Sequence, residues 1–323
     1  MTKLMLTECK DFAYWDNFVA TSPQGNIFCQ TAFLDALGED YELLSVQEDN
    51  SPKLGAIVLE REGQLLHAPY PFTMYQGVLF DGISCNMPYH RWVKWSMEIT
   101  NFLLDEMEKR YDCISFCLHP HFEDLRSFSW FHYHEPDKGK FNINLWYTAL
   151  LNLFDTPDFE AYLGTIRQSR RYEYRHGLEN GLTVEVSKDV DKLDYLHKLT
   201  FERQGIMRNE DEVRLVRAIS SAALAHGFGE LLLCWDAEGE AISATLFLYD
   251  ENCGYYMFGA NDPAHRNSYG GTFLLLENIR RCQARGLRYV DMCGINSPNR
   301  GDFKTSFNAA PVPYFVVTWD KSL

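Results

Sequence analysis

At 323 residues the chain exceeds the usual size of one domain, so two compact units are expected. Its formal net charge of −15 opposes nonspecific binding to nucleic acid and to anionic membranes, and any polyanion site must be a local basic patch. The opening residues lack the features of a secretory signal, and no segment approaches the ~18 apolar residues of a membrane span. We therefore expect a cytoplasmic protein that neither inserts into membranes nor binds DNA.

The first half of the chain is predicted to contain a long amphipathic helix between strands. The predicted strands are 54–60, 73–80 and the segment YDCISFCLH at 111–119, and the helix covers 88–110. Apolar residues at helical spacing mark the buried stripe of this helix: Trp92, Trp95, Ile99, Phe102 and Leu103.

The nine cysteines show no repeated short spacing, which predicts buried thiols rather than a disulfide framework. One stretch, CISFCLHPH, puts Cys113, Cys117 and His119 on one face of the predicted strand, with His121 just beyond. These are zinc-type ligands, but a structural zinc site usually takes two ligands from each of two separated segments. The stretch is therefore interpreted as a packed core strand, and no metal is expected.

A helix is predicted after residue 154, with Asp155 or Thr156 as its N-cap and Pro157 in its first turn. No low-complexity linker separates it from the first half of the chain. This helix is where basic residues are concentrated in an otherwise acidic protein.

Arg167, Arg171 and Arg175 recur at four-residue intervals, so their guanidinium groups are expected along one face of that helix, with Arg170 beside them. Guanidinium forks suit phosphate, so the face is a candidate to bind a nucleotide-linked precursor, a tRNA acceptor end or coenzyme A. The alternative is a solvated helix face whose arginines pair with carboxylates.

The second half of the chain repeats the order of the first. The predicted elements are strands at 231–236, 241–250 and 253–260, a helix at 268–285 and a strand at 287–295. Gly239 is expected in a hairpin turn and Gly286 just after the helix, where glycine tolerates a positive φ. The repetition predicts two copies of one α/β module, at residues 1–150 and 151–323.

The segments GLTVEVS, GEAISATLFLYDENCGYYMFGANDPAHRNSYGGTFLLLENIRRCQARGLRYVDMCGI and FKTSF follow one another in the second half. In this order, over residues 155–319, the chain closely resembles the FemAB-like and BioF2-like acyltransferases of the GNAT superfamily. Residues 1–150 are similar more loosely, mainly through NIFCQTAFLDALG. The resemblance implies an α/β fold of two tandem GNAT-like modules with mixed central sheets flanked by helices. It also implies transfer of an aminoacyl group from tRNA, or of an acyl group from coenzyme A, to an amine.

Acyl transfer to an amine needs a polarised carbonyl, a hydrogen-bond donor to the developing oxyanion and a route for the amine proton. Gly270 and Gly271 stand at the start of a predicted helix, where free N–H groups can hold a phosphate. GNAT enzymes bind the coenzyme A pyrophosphate in the corresponding turn. The nearest register here is Asn267-x-x-Gly270-x-Thr272, with Ser268 inside it, and it is degenerate, so a plain helix start is the alternative.

The stretch NRGDFKTSFN at 299–308 contains Arg300, Gly301 and Asp302, which spell an adhesion tripeptide. Adhesion needs an extracellular loop, which the missing signal peptide disfavours. Three specified residues also recur by chance in many proteins, so adhesion is not predicted.

In the same stretch, the resemblance implies that Lys304 is the catalytic residue. A lysine there can stabilise an oxyanion or a donor phosphate, or assist proton transfer if burial lowers its pKa. The rings of Phe303 and Phe307 are expected to flank and desolvate it. The alternative is a surface lysine whose ammonium reaches solvent.

Asn261, Asn296 and one of two adjacent tyrosines, Tyr255 or Tyr256, are expected to line the same cleft. We predict an N-acyltransferase that uses acyl-CoA, such as acetyl-CoA, or aminoacyl-tRNA as donor. The acceptor is an amine on a small molecule or on a cell-envelope or polysaccharide precursor, and tRNA is a possible partner. The alternative is a catalytically inactive GNAT-fold module that binds a thioester or tRNA without turnover.

Overall fold

The structure is a computed structural model that describes residues 3–135 and 137–322. The chain divides into two compact units. The first contains the described residues up to Trp146 together with those from Pro313 onward, and the second is Tyr147–Val312. The assignment of modules to 1–150 and 151–323 stays a prediction.

The first unit is built on an antiparallel sheet with the order β1-β2-β3-β4, and β5 pairs with β3. Its elements are β1 (Leu4–Glu8), α1 (Phe12–Thr21), α2 (Thr31–Leu37), β2 (Asp40–Glu48), β3 (Ser51–Arg61), β4 (Gln64–Leu65), β5 (Leu79–Phe80), α3 (Tyr89–Glu108), β6 (Cys113–Leu118) and α4 (Arg126–Ser129). The predicted long helix and the strands at 54–60 and 111–119 are confirmed.

The strand predicted at 73–80 is wrong over most of its length, because only Leu79 and Phe80 pair with β3. Gly77 interrupts the segment and packs against the backbone of β6.

Helix α3 buries part of its predicted stripe. Ile99 and Leu103 are buried, whereas Trp92, Trp95 and Phe102 are only partly buried and pack around the core from its edge. The indole of Trp92 lies 5.0 Å from the ring of Phe80 in an edge-on contact. The predicted stripe therefore does lie on the face of α3 that packs on the core, but its three aromatic residues remain partly exposed.

The side chains of the CISFCLHPH stretch have separate partners. The thiol of Cys117 donates to the Met74 carbonyl, and Cys113 contacts the His67 ring. The His119 ring packs edge-on against Tyr75, and burial lowers its pKa to about 3, so this imidazole is neutral at pH 7. These contacts are those of a core strand and its flanking loop.

The remaining elements carry the second unit and the end of the chain. They are β7 (Asn142–Asn152), α5 (Phe159–Thr165), α6 (Gln168–Glu179), β8 (Thr183–Ser187), α7 (Val190–Glu202), α8 (Glu210–His226), β9 (Gly229–Trp235), β10 (Ala241–Tyr249), β11 (Cys253–Asn261), α9 (Gly270–Ala284), β12 (Tyr289–Asp291), α10 (Pro298–Thr305) and β13 (Ala310–Asp320). In the second unit the sheet order is β7-β12-β11-β10-β9-β8. The residues of β13 that pair antiparallel with β6, 315–320, belong with β6 to the first unit. The mixed α/β class and the repeated order of strand, strand, helix and strand are confirmed.

Local chemistry explains the main boundaries in the second unit. Gly239 has a φ of 82° in the turn between β9 and β10, and Gly286 has a φ of 74° just after α9, as predicted for both. A 3₁₀ segment, Pro263–Ser268, connects β11 to α9. Within the described residues, α3 is the longest helix, and neither it nor any other helix has the apolar length needed to span a bilayer.

The single helix predicted after residue 154 is wrong. Asp158, rather than Asp155 or Thr156, is the N-cap of α5, and its carboxylate accepts the Ala161 N–H at 2.8 Å. The chain then leaves helical geometry at residues 166 and 167 before α6 begins. Arg167 is consequently the N-cap residue of α6 and not part of a continuous helical face.

Candidate functional site

The parallel strands β11 and β12 pair over only three residues and then separate. Their registered pairs end at Tyr255 and Asp291, whereas β11 continues to Asn261. Just past the last pair, β11 has a bulge. Leu246 of β10 faces Phe258 and the next residue, Phe247, faces Tyr256, so Met257 is the extra residue. A bulge leaves its extra residue outside the regular ladder, and this one lies beside the gap between the strands.

The chain that leaves β12 makes a left-handed turn at the edge of this gap. Cys293 has a φ of 54° and Gly294 has a φ of 86°, and the first of these is unfavourable for a residue with a side chain. Buried Asp291 holds the turn, because its carboxylate accepts the Cys293 N–H at 2.7 Å and the Thr148 hydroxyl at 2.5 Å. The Gly294 N–H in turn donates to the Thr148 hydroxyl at 3.2 Å. Strained backbone held by a buried network is typical of functional sites.

Lys304 of α10 points its ammonium at this turn. The Nζ atom donates to the carbonyls of Cys293 and Gly294 at 3.1 and 2.9 Å, and it lies 5.6 Å from the centre of the Tyr256 ring. Burial lowers the pKa of Lys304 from its usual value, and the neighbouring Cys293 and Asp291 oppose that change. The ammonium is thus held beside the gap by neutral carbonyls, without a direct carboxylate partner among the described residues.

Tyr256 is the first residue of β11 beyond the β12 pairing. Its ring stacks on Phe247 with centroids 5.5 Å apart, and burial raises the pKa of its phenol to about 12. A Cβ atom at Gly259 would lie 2.0 Å from the Tyr256 hydroxyl, so only glycine leaves room for this phenol. The structure therefore brings the predicted residues Lys304 and Tyr256 together.

The rings of Phe303 and Phe307 do not flank Lys304, so that expectation is wrong. Phe303 lies in α10 and Phe307 in the turn just after it, and their ring centroids are 5.1 Å apart. Residue 304 is rotated about 100° from residue 303 around a helix, so its side chain leaves from a different face. The cation that these rings contact is Arg170, whose guanidinium lies 4.7 Å from the centre of Phe303.

Arg170 belongs to a mostly buried polar network that joins α6, α9 and α10. Its guanidinium donates to Glu173 at 2.6 Å and to the Ser306 hydroxyl at 2.8 Å. Glu173 also accepts the Thr272 hydroxyl at 2.5 Å. The side chains of Arg170 and Glu173 are each 15% exposed, so two predicted site residues, Arg170 and Thr272, fasten these helices together.

The adhesion tripeptide lies within α10 rather than in an extended loop. Asp302 forms a two-point pair with Arg167, with N–O distances of 2.8 and 2.7 Å, and both side chains are largely exposed. Arg300 is exposed, and its charge adds to the effect of burial in lowering the pKa of Lys304, whereas it partly opposes the burial that raises the pKa of Tyr256.

The predicted arginine face is divided among different tasks. Arg171 donates to the Gly164 carbonyl at 2.8 Å, and Arg167 is paired with Asp302. Arg175 is exposed, and no described residue pairs with it. Of the four arginines, Arg175 is the one whose guanidinium has no hydrogen-bond or ion-pair partner among the residues that the structure describes.

The N-terminus of α9 has no capping side chain in the described chain, and its N-cap residue, Tyr269, is left-handed with a φ of 61°. The first helical bond is donated by Phe273, so the three preceding amides, of Gly270, Gly271 and Thr272, have no carbonyl within the helix. Asn267 is exposed and Ser268 partly exposed in the segment before them. This is the predicted donor-binding turn.

The two glycines of this turn also serve packing. A Cβ at Gly270 would lie 2.5 Å from the Ser243 hydroxyl, and a Cβ at Gly271 would lie 2.4 Å from the Asn261 carboxamide oxygen. The same oxygen accepts the Ser243 hydroxyl at 2.7 Å. A larger residue at position 270 would therefore displace α9 from the sheet whether or not a phosphate binds there.

Asn296 has backbone partners. Its carboxamide accepts the Tyr147 N–H at 2.8 Å and donates to the Tyr147 carbonyl at 3.0 Å. It extends the hydrogen bonding of β7 beyond β12, and it lies on the chain segment that carries the strained turn. Its predicted role toward a substrate remains a prediction.

Sequence reasoning missed the bulge at Met257 and the turn at Cys293 and Gly294. The glycine at 259 was a signal for the first, because a glycine within a strand often marks a bulge or a close approach. The sequence gives no comparable signal for the turn at Cys293 and Gly294, because the left-handed conformation of Cys293 depends on tertiary contacts of Asp291.

Residues 164–305 match the family described as the acetyltransferase (GNAT) domain. No curated protein matches the chain by sequence. The fold is similar to that of a crystal structure of FemX, at 14% identity over 97% of this chain and 96% of that one, with a TM-score of 0.71. It is also similar to a tandem GNAT protein from the clavulanic acid biosynthesis pathway, at 12% identity over 98% of both chains, with a TM-score of 0.52.

A third similar structure is the C-terminal domain of a putative lysylphosphatidylglycerol synthetase from Agrobacterium fabrum. It is 12% identical over 96% of this chain and 91% of that one, with a TM-score of 0.55. Such low identities show a shared fold, whereas the sequence match shows a GNAT domain over residues 164–305. The chain therefore contains a GNAT acetyltransferase domain and has a fold similar to that of FemX, and in these two respects the resemblance to the FemAB-like proteins of the GNAT superfamily is confirmed.

Proposed function

We propose that the gap between β11 and β12 is the active centre of an N-acyltransferase and that Lys304 is its catalytic residue. The observation that carries this proposal is the Lys304 ammonium, held by the carbonyls of Cys293 and Gly294 where the two parallel strands separate. A preorganised cation in a site of low dielectric stabilises charge that develops in a transition state.

The reaction that suits this geometry is attack of a neutral amine on the carbonyl carbon of a donor ester or thioester. The N–C bond forms, the carbonyl oxygen becomes an oxyanion, and the tetrahedral intermediate then expels the alcohol or thiol and loses the amine proton. The backbone N–H of Met257, outside the ladder at the bulge, and the Lys304 ammonium are the proposed oxyanion partners. The displaced thiolate or alkoxide takes up the proton that the amine releases.

The donor is proposed to be acyl-CoA or aminoacyl-tRNA, with its phosphate or acceptor-end phosphates at the first turn of α9. The free amides of Gly270, Gly271 and Thr272 support this assignment, because a helix N-terminus attracts anions. Arg175, the exposed guanidinium that has no partner among the described residues, is proposed to assist a polyanionic donor, whereas Arg167 and Arg171 are already engaged. The acceptor class, a small amine or an envelope precursor, rests on the family resemblance.

The donor turn can be tested without the packing damage that a larger residue at Gly270 would cause. Asn267→Asp puts a negative charge on an exposed position before α9 and should weaken donor affinity by about 10-fold through repulsion of the phosphate. Calorimetry with acetyl-CoA and with alanyl-tRNA, in buffer containing EDTA, measures this change. Asn101→Asp, on the exposed face of α3, adds the same charge elsewhere and should leave affinity unchanged.

The outcome of this titration decides between the donors. Binding of only one donor by the wild-type protein identifies it. If both donors bind but neither is turned over with any amine, the protein is an inactive binding module rather than an enzyme. Equal affinities in Asn267→Asp and the wild-type protein would remove the donor site from α9.

The pH dependence of transfer tests the charge state of Lys304. Burial lowers the pKa of Lys304 below the usual 10.5, so a rate that needs the ammonium should fall as pH rises, in a step below that value. The step should disappear in Lys304→Arg, because a guanidinium keeps its proton throughout this range. Single-turnover rates between neutral and alkaline pH measure it, and a rate that instead rises through the step would show that the neutral amine acts as a base.

A further inference from the structure

Away from the gap between β11 and β12, three metal-ligating side chains meet in the second unit. Asp236 and Glu240 lie in the turn between β9 and β10, and His265 lies in the 3₁₀ segment that follows β11. The meeting follows from the sheet, because β10 and β11 are neighbours and the Asp262 N–H donates to the Ile242 carbonyl at 2.9 Å. The start of β10 thus lies beside the end of β11. This brings the turn before β10 close to the 3₁₀ segment after β11.

The spacing of these side chains suits a small divalent ion. Ligand atoms of the three residues all lie within 4.8 Å of one another. Nδ1 of His265 is 3.4 Å from a carboxylate oxygen of Asp236. Around a tetrahedral zinc with ligand bonds of about 2.0–2.2 Å, neighbouring ligand atoms are about 3.3–3.5 Å apart. The imidazole and one carboxylate are therefore already separated as two ligands of one ion.

Asp236 is held in a ligand orientation by its own turn. Its Oδ1 atom accepts the backbone N–H groups of Glu238 and Glu240 at 3.1 and 2.8 Å, which leaves Oδ2 directed at His265. The Asp236 side chain is only 9% exposed, and His265 is the one partner of Oδ2 in the described part of the chain. Glu240, whose side chain is 68% exposed, places its Oε2 atom 3.4 Å from Nε2, the other ring nitrogen of His265. A mostly buried carboxylate such as that of Asp236 is costly unless a cation compensates it.

We propose that Asp236, Glu240 and His265 bind a divalent transition metal and that Zn²⁺ is the preferred ion. An imidazole with two carboxylates favours zinc over Ca²⁺ and Mg²⁺, which take six or more oxygen ligands or keep several waters. The site does not depend on the proposed acyl transfer.

Three protein ligands leave a fourth position of a tetrahedral ion free. This position opens into a cleft of about 650 Å³, which is also lined by His176, Asn267 and Ser268. Water or an oxygen atom of a molecule in the cleft completes the coordination.

Calorimetric titration of chelator-treated full-length protein with ZnCl₂ should show one site per chain. His265→Ala removes the nitrogen ligand and should lower the affinity by more than about 100-fold, since the loss of a residue that only orients a ligand already costs about 10- to 100-fold. Asp236→Asn keeps the turn acceptor and should weaken binding in the same direction. His226→Ala, an exposed histidine on α8, is the matched control and should leave the affinity unchanged.

Co²⁺ in place of Zn²⁺ separates this site from the nine free cysteines, which are competing metal ligands. We expect visible d–d bands of a four-coordinate ion with nitrogen and oxygen ligands and without a thiolate charge-transfer band, and we expect these bands to vanish in His265→Ala. Thermal unfolding of the metal-free variants should match that of the wild-type protein. A thiolate band, equal affinities in His265→Ala and the wild-type protein, or no stoichiometric binding by the wild-type protein would each overturn the proposal.

Discussion

Replacement of Lys304 by Ala is expected to lower the rate of acyl transfer by about 10²- to 10³-fold, with donor affinity nearly unchanged. The ammonium is held by the carbonyls of Cys293 and Gly294, so it is preorganised for charge that appears only in the transition state. Single-turnover transfer to hydroxylamine, a small amine acceptor, measures this rate with acetyl-CoA or alanyl-tRNA as donor. Circular dichroism of the variant should match that of the wild-type protein.

Two control variants sharpen this result. Lys304→Arg keeps the charge in a different geometry and should recover only part of the rate, because a planar fork does not reproduce a compact ammonium. Lys198→Ala removes an exposed lysine of α7 that pairs with Glu202 and should leave the rate unchanged. A Lys304→Ala variant that is well folded and transfers at the wild-type rate would return Lys304 to a structural role in the strained turn.

Replacement of Arg170 by Ala is expected to lower the free energy of unfolding by about 3 kcal/mol, because it leaves the buried Glu173 carboxylate without its cation. The change also removes the hydrogen bond to Ser306 and the contacts with the rings of Phe303 and Phe307. Urea denaturation followed by fluorescence measures the loss.

Arg171→Ala is the matched control for Arg170, since it removes a guanidinium one residue along α6. Among the described residues, the Arg171 guanidinium has one hydrogen-bond partner, the Gly164 carbonyl at the surface, so the free energy of unfolding should change by less than about 0.5 kcal/mol. Similar stabilities for Arg170→Ala and Arg171→Ala would show that the buried network adds nothing to the fold. A loss of donor binding in Arg170→Ala without a loss of stability would restore the binding role predicted from the sequence.

The elements predicted best are those in which local pattern and tertiary burial agree. The strands β9, β10 and β11 are apolar runs separated by turn residues, and Gly239 has the positive φ that its turn requires. The prediction of one continuous helix after residue 154 is wrong because the helical sequence pattern continues through residues 166 and 167, where the backbone is extended. No local residue there breaks a helix as proline would.

Lys304 and Tyr256 of the candidate site were predicted through family resemblance, whereas the first turn of α9 was predicted from two glycines at a helix start. The prediction that the rings of Phe303 and Phe307 flank Lys304 was based on their proximity in sequence. It is wrong because adjacent side chains on a helix point about 100° apart. Arg170 donates to Glu173, which also accepts the Thr272 hydroxyl, so these contacts join α6 and α9. The spacing of the arginines in the sequence does not predict them. The turn at Cys293 depends on the buried Asp291, a contact that exists only in the folded chain.

A crystal structure with a bound, unreactive donor analogue tests the central claim most directly. Soaks with a non-hydrolysable acetyl-CoA analogue and with an aminoacyl-adenosine analogue should place the donor carbonyl between β11 and β12, beyond Tyr255 and Asp291, where those strands separate. Its oxygen should lie within hydrogen-bonding distance, about 3 Å, of the Met257 N–H or the Lys304 ammonium. A donor bound with its carbonyl elsewhere, for example in the cleft lined by His176 and Asn267, would contradict the account.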